Sequence, residues 1–345
     1  MMTMKNPIRI ALCSPVIMAT ALGLFAGCGS SVEVRRDLVW PAPPETPRIR
    51  YITSYSDSKS FDEGGPSFLE KLMGEEVSLA LGKPYAVAVD SRGRIFVTET
   101  EGKAVIVFDT LNKKIEAFGR SSGGSVSLPL GIAIDSGGLV YISDGKLKSV
   151  LVFNGDGNLV RTVGSAGDFE NPAGVAIDQG RGRIYVVDTR AHDVKVYSLD
   201  GGFLFKFGKR GTGDGEFNYP TNIAVGKDGK IYIVDTINAR VQVFGAEGTF
   251  LMKFGSLGDG LGQFTRPKGI SLDNQDNIYV VDAAFNNFQI FNQEGQLLMF
   301  VGCLGREPGM FWLPAGICID GSNRIYVVDQ LNRRVQVFQL LEEMK

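Results

Sequence analysis

Six prolines, Pro84, Pro129, Pro172, Pro220, Pro267 and Pro314, divide most of this chain into units of 45, 43, 48, 47 and 47 residues, each opening the same succession of residue types. Fifteen residues after each proline, sixteen in the third copy, a β-branched run ends in an acid: Glu99, Asp144, Asp188, Asp235, Asp282 and Asp329. A third run ends in an aromatic at Phe108, Phe153, Tyr197, Phe244, Phe291 and Phe338. In the first five copies a glycine follows eleven residues later, at Gly119, Gly164, Gly208, Gly255 and Gly302. A period in the forties with several strands per unit predicts a β-propeller.

The fourth copy shows the strand-length segments most clearly: Asn222 to Val225, Ile231 to Asp235, Val241 to Phe244 and Phe250 to Phe254. They are rich in β-branched and aromatic residues and are parted by turn residues such as Gly226-Lys227-Asp228-Gly229. Four antiparallel strands make a blade, and blade faces bury their apolar side chains only by stacking on neighbours, so six copies close into a ring. The predicted fold is all-β, a six-bladed β-propeller over residues 81–345.

Pro220-Thr221-Asn222-Ile223-Ala224-Val225, Ile231-Tyr232-Ile233-Val234-Asp235 and Asn238-Ala239-Arg240-Val241-Gln242-Val243-Phe244 resemble an NHL repeat, as do their counterparts from Pro314 to Phe338 and linkers such as Gly211-Thr212-Gly213-Asp214-Gly215-Glu216-Phe217. The resemblance covers roughly residues 81 to 338 and implies a fold more than a function, because one fold hosts many sites. The Asn and Arg positions are filled only in blades four and six; blade three has Ala191 and Asp193 there, and blade five Phe285 and Asn287. In the full motif the Asp and Arg are expected to pair across a turn. The six acids then read as scaffold, and a cation-binding ring of Glu99, Asp144, Asp188, Asp235, Asp282 and Asp329 is the weaker alternative.

The last repeat is short by one strand. Only seven residues follow Phe338, and an open blade would leave an unpaired sheet edge. Arg48-Ile49-Arg50-Tyr51-Ile52-Thr53-Ser54 is an orphan strand upstream of the first blade, so an N-terminal clasp is expected to complete blade six. Residues 48–80 therefore read as clasp plus a short helix over Pro66 to Gly74, with an early proline and a terminal glycine.

The amino terminus carries a different message. Lys5 and Arg9 precede an apolar stretch from Ile10 to Phe25, and Ala26-Gly27 leads into Cys28. This is the pattern of a secretory signal peptide over residues 1–27, too short for a comfortable membrane span. Leu24-Phe25-Ala26-Gly27-Cys28 resembles a bacterial lipoprotein signal, although that family prefers Leu where Phe25 stands. The resemblance implies acylation of Cys28, and each buried methylene of the acyl chains contributes about 0.8 kcal/mol to membrane attachment. Residues 28–47, with the proline-rich Trp40 to Pro47, read as a tether that leans to polyproline geometry. No Asp follows Cys28, which resembles lipoproteins sent to the outer membrane.

Without residues 1–27, 34 basic and 38 acidic side chains remain, a net charge near −4. No basic stripe appears, so nucleic acid is not an expected partner. Cys303 and Cys318 could pair in an oxidising compartment. Their register argues otherwise: Cys318 takes the innermost-strand slot of Ala88, Ala133, Ala176, Ala224 and Ser271, whereas Cys303 follows an outer strand, which separates them beyond the ~7 Å Cα limit.

Catalytic chemistry finds few residues. Resembling propellers include amidating lyases with several histidines around zinc, but His192 is the single histidine here, and it reads as an exposed turn residue. No G-x-S-x-G elbow occurs. Asn222 is the polar residue near the start of an inner strand where the other copies have Val87, Gly131, Gly174, Gly269 and Gly316. The expectation is a monomeric, non-catalytic binding scaffold for another extracytoplasmic protein, without a cofactor; a calcium- or zinc-dependent hydrolase or lyase at the channel mouth is the alternative. Inter-blade linkers and the turns after the acids share one face of a propeller. Phe217, Phe264 and Phe311 recur at matching linker positions and read as packing residues. Arg190, His192, Tyr219, Arg266, Phe285 and Trp312 break the repeat and are the candidate partner contacts, because aromatic and arginine side chains anchor interfaces.

Overall fold

In a computed structural model, which describes residues 37–61, 79–119 and 125–341, the six repeats form six antiparallel sheets. Blade four runs from an inner strand, Pro220–Val225, through Ile231–Asp235 and Arg240–Phe244 to an outer strand, Phe250–Phe254. The second and third strands are buried on both faces, whereas the outer strand alternates between buried and exposed positions. That is the pattern expected where a twisted blade widens away from its neighbours. The third blade's sixteen-residue spacing goes with an inner strand of seven residues, Pro172–Asp178, where the other five inner strands have six.

The core lies between blades. Six clusters of buried side chains occur among the described residues, and each joins two adjacent sheets. One packs Tyr185, Val187, Val194 and Val196 of blade three on Ile223, Ile231, Ile233 and Phe244 of blade four. No blade has a core of its own, so stability depends on a closed ring.

Inner strands crowd around the axis. Each slips register just after its opening proline, and the slip coincides with the Gly131, Gly174, Gly269 and Gly316 positions. A Cβ at Gly174 would lie 2.6 Å from the Asn222 Cα, and one at Gly316 2.7 Å from the Ala86 Cα. Glycine is needed there for close backbone approach. The channel they enclose has a volume of about 320 Å³ and is lined by small and aliphatic residues, with Asn222, Ser271 and Cys318 among its polar side chains. Cys303 and Cys318 are thiols, with no disulfide between them. Burial pushes the Cys318 thiol up to about 12.

Blade six closes as the incomplete repeat requires. Its third strand, Arg334–Leu340, pairs antiparallel with Ile49–Tyr55, from Ile49 opposite Leu340 to Tyr55 opposite Val335. The amide of Leu341 then donates to the Arg48 carbonyl. The tether reading of 28–47 needs revision at its end: Val39–Trp40 adds a fifth strand beside Arg50 and Ile49. The Trp40 ring meets Phe338 edge-on at 5.7 Å, opposite Tyr51 at 5.6 Å. From Leu38 onward the chain belongs to the propeller unit. The clasp also reaches blade one, where Tyr55 and Phe61 pack on Phe108. Gln330 of blade six donates to the Pro84 carbonyl of blade one. The expected helix over Pro66 to Gly74, Cys28 and the signal segment lie outside the described residues.

Candidate functional site

The acid at the end of each second strand sits beside the opening proline of the inner strand and the first residue of the third. The inter-blade linker ends at the same place, so linkers and post-acid turns do share one face. Asp235 accepts from Arg240 Nε at 2.8 Å, Asn238 Nδ2 at 2.8 Å and the Asn218 amide at 2.7 Å. The Arg240 guanidinium reaches on to the carbonyls of Thr212, Gly213 and Glu216. One Asp-Arg pair thus ties a turn to a linker. Asp329 repeats this with Arg334, Asn332 and Trp312.

Where the arginine is missing, other groups serve. Lys195 fills the place in blade three, with Nζ 2.9 Å from Asp188 and 2.6 Å from Asp193. Burial works against the Asp188 charge, but Lys195 and the amides of Glu170 and Asn171 outweigh it and hold the carboxyl below its ordinary range. Asp282 is met by the amides of Thr265, Ala284 and Phe285, Asp144 by those of Leu128, Lys146 and Leu147, and Glu99 by those of Lys83 and Gly102. Each acid is occupied within its own blade. Among the described residues no group of three His, Cys, Asp or Glu comes close enough to hold a metal ion.

Phe217, Phe264 and Phe311 are fully buried beneath their linkers. Their rings fill the space that a Cβ would need at Gly208, Gly255 and Gly302, residues with φ of +91°, +82° and +100°. This explains the closing glycine of the repeat: both backbone conformation and ring contact exclude a side chain.

His192 differs from its expected exposure. It is 94% buried, with a relative exposure of 6%, because its Nδ1 turns inward to accept the Tyr219 amide at 3.1 Å. Its ring packs against Tyr219 with centroids 4.7 Å apart. Asn286 does the same work in blade five by accepting from Leu313. Phe285 is half-buried, while Arg190, Tyr219, Arg266 and Trp312 are exposed. The Arg306 guanidinium lies 5.2 Å from the Trp312 ring centroid.

Around these residues stand apolar side chains that a search for aromatic and arginine residues passes over. Ile237 is 61% exposed and Leu331 43%, both two places after their acids; Leu257 and Leu304, two places after closing glycines, are 71% and 63% exposed. The available signal was an aliphatic residue at a turn position that packing does not require. Together with Tyr219, Arg266 and Trp312 they concentrate on the linker face of blades four to six.

The chain matches the family described as a 6-bladed beta-propeller over residues 169–237 and 226–288, and the NHL repeat over residues 311–338. It is 37% identical over 59 residues to "Protein brain tumor" of Drosophila melanogaster, a match covering 17% of this chain and 6% of that protein. It is 31% identical over 67 residues to "E3 ubiquitin-protein ligase NHLRC1" of Homo sapiens, covering 19% of this chain and 17% of that one. These matches span a small part of either relative. Among solved structures, virginiamycin B lyase from Staphylococcus aureus superposes with a TM-score of 0.55 at 15% identity, over 75% of this chain and 95% of that one. At that identity the likeness is one of fold.

Proposed function

This chain is a six-bladed β-propeller of the NHL-repeat type, and from that premise we propose that it is a lipid-anchored extracytoplasmic scaffold that binds a protein on the linker face of blades four to six. The observation that carries this reading is the exposed group of Tyr219, Ile237, Arg266, Leu304, Trp312 and Leu331 on that face. Repeat packing accounts for the buried phenylalanines and the acid network, yet it leaves these side chains exposed, with the rings of Tyr219 and Trp312 touching His192 and Arg306. Aromatic and arginine residues set among aliphatic ones are the composition of an interface centre. Anchoring rests on the Cys28 segment and its lipoprotein resemblance, with the outer membrane as the proposed location.

Truncating Tyr219, Arg266 and Trp312 together to alanine tests the binding reading. Capture of the native partner from solubilised membranes should weaken by several kcal/mol, about 2 kcal/mol for each anchor and less than additively. The melting temperature should hold, since exposed linker side chains contribute little to blade stacking. A triple variant that keeps both its melting temperature and its captured proteins would place the binding face elsewhere. Stoichiometric calcium or zinc in the purified protein would instead favour a metal-dependent hydrolase or lyase.

A further inference from the structure

Residues that follow an opening proline, Tyr85, Thr221, Lys268 and Ala315, line the channel where it meets the linker face. In blades one and five a cation also stands just before the proline, Lys83 beside Pro84 and Arg266 beside Pro267. Blade six lies between them and contributes only Ala315 and Gly316 to the rim, which leaves a recess of about 10 Å³ bounded by Tyr85, Thr221, Asn222, Lys268, Ala315 and Gly316. Lys268 Nζ stands 5.6 Å from the Tyr85 ring centroid, across that gap.

Three cations thus gather at one mouth. Among the described residues, no carboxylate pairs with Lys268, Arg266 or Lys83. The repeat acids of these two blades, Glu99 and Asp282, are taken up by backbone amides, including those of Lys83 and Arg266 themselves. A half-buried ammonium without a counter-charge is costly, and a cation–π contact returns only about 0.5–2 kcal/mol. Lys268 is not required by the fold: the other five repeats place Tyr85, Leu130, Ala173, Thr221 and Ala315 where it stands. Asn222 Oδ1 accepts from the Ile223 amide, so its amide NH2 is a further donor beside the recess.

We propose that the linker-side mouth of the channel is a binding site for a small oxyanion, a carboxylate or a phosphate group, held by Lys268 and Arg266 with Lys83 and Asn222 beside it. An oxyanion there relieves the mutual repulsion of three cations and gains charge-assisted hydrogen bonds, with the guanidinium supplying a planar fork. The same crowding acts on Lys268 itself: burial, then Arg266 and Lys83, bring its ammonium down to about 8. The site shares Arg266 with the protein-docking face but is a different reading, since its ligand enters the channel mouth and need not be macromolecular; the Lys268 acylation test reads the oxyanion alone.

The low proton affinity makes Lys268 its own reporter, because a partly neutral amine acylates readily near pH 8. Brief acetic anhydride pulses on the full chain, read by peptide mass spectrometry, would compare Lys268 with the exposed Lys113 in sodium chloride, inorganic phosphate or acetate of equal ionic strength. At about 10 mM anion and a Kd of ~1 mM, modification of Lys268 should slow about tenfold while Lys113 is unchanged. Protection by phosphate alone assigns a phosphoryl group, and by acetate alone a carboxylate. Arg266→Gln, which leaves Lys268 in place, should remove most of the protection. Equal acylation of Lys268 in chloride and in both oxyanions, or protection that survives Arg266→Gln undiminished, would overturn the assignment.

Discussion

At the scale of single residues, the repeat separates two kinds of polar group: those the fold uses and those it does not. His192 belongs to the first kind. His192 is itself a left-handed turn residue, with φ of +58°, and its Nδ1 accepts the Tyr219 amide; blade five gives the same task to Asn286, with φ of +56°. His192→Ala should therefore cost about 1–3 kcal/mol by leaving a buried amide unpaired. His192→Asn should recover most of it, since Asn offers an acceptor and tolerates that conformation. Urea denaturation of both variants checks this; equal losses would mean the ring's packing, and not its acceptor, is what matters. Lys268 belongs to the second kind, and it makes a prediction in pH. Its folded value near 8 lies below the ordinary 10.5, so between them the unfolded chain binds more protons and stability rises with pH. The penalty is fully present below about pH 8 and gone by about 10.5. Cys318, held up to about 12 from 9.0, acts oppositely: its contribution is present below about pH 9 and lost as pH rises. Comparing wild type with Lys268→Met cancels that term. The variant's stability advantage at pH 7 should shrink steadily toward pH 10, and a pH-independent difference would contradict the charge argument.

At the scale of elements, the strands were legible because alternation and turn residues recur six times, and errors in one copy are corrected by the others. The clasp was legible for a different reason: an incomplete last repeat demands a strand, and Arg48 to Ser54 was the orphan available. Val39–Trp40 escaped notice because two residues among prolines carry no period. Its pairing comes from Trp40 finding Phe338, a contact 298 positions away in sequence that no local pattern encodes. The consequence is testable by truncation. A chain beginning at Leu38 should fold, since the propeller unit begins there. Beginning at Arg48 removes the fifth strand and exposes the Phe338 edge contact, and should cost less than the ~3–5 kcal/mol of deleting a fully buried Trp, because Trp40 is only partly buried. Beginning at Asp57 removes the whole clasp and leaves Arg334–Leu340 an open, largely apolar edge, so aggregation is expected. Light scattering and thermal melting of the three chains should fall in that order; three equal melting temperatures and monodisperse samples would show that the ring closes without the clasp.

At the scale of the whole molecule, the buried ring and the exposed face obey different rules. Identical blades stacking on one another dictate the Asp-Arg ties, the buried linker phenylalanines and the closing glycines, and these could be read from periodicity. The candidate site could be read only where periodicity fails. Even so, departure from the repeat did not distinguish His192, which the fold turns inward, from Tyr219, which it leaves in solvent; that outcome is set by one hydrogen bond between two blades. The same separation applies to anchoring. If Cys28 carries the lipid, attachment and folding reside in different segments, because the propeller unit begins at Leu38 and closes on itself through Ile49–Tyr55. Cys28→Ser should then move the protein from the membrane fraction to the soluble one, or leave its signal segment uncleaved, while the melting temperature of the propeller stays unchanged. Mass spectrometry of the wild-type N-terminal peptide should show acyl groups on Cys28. An unmodified cysteine together with unaltered membrane fractionation of the variant would refute the lipid anchor, and a lowered melting temperature would show that residues before Leu38 take part in the fold.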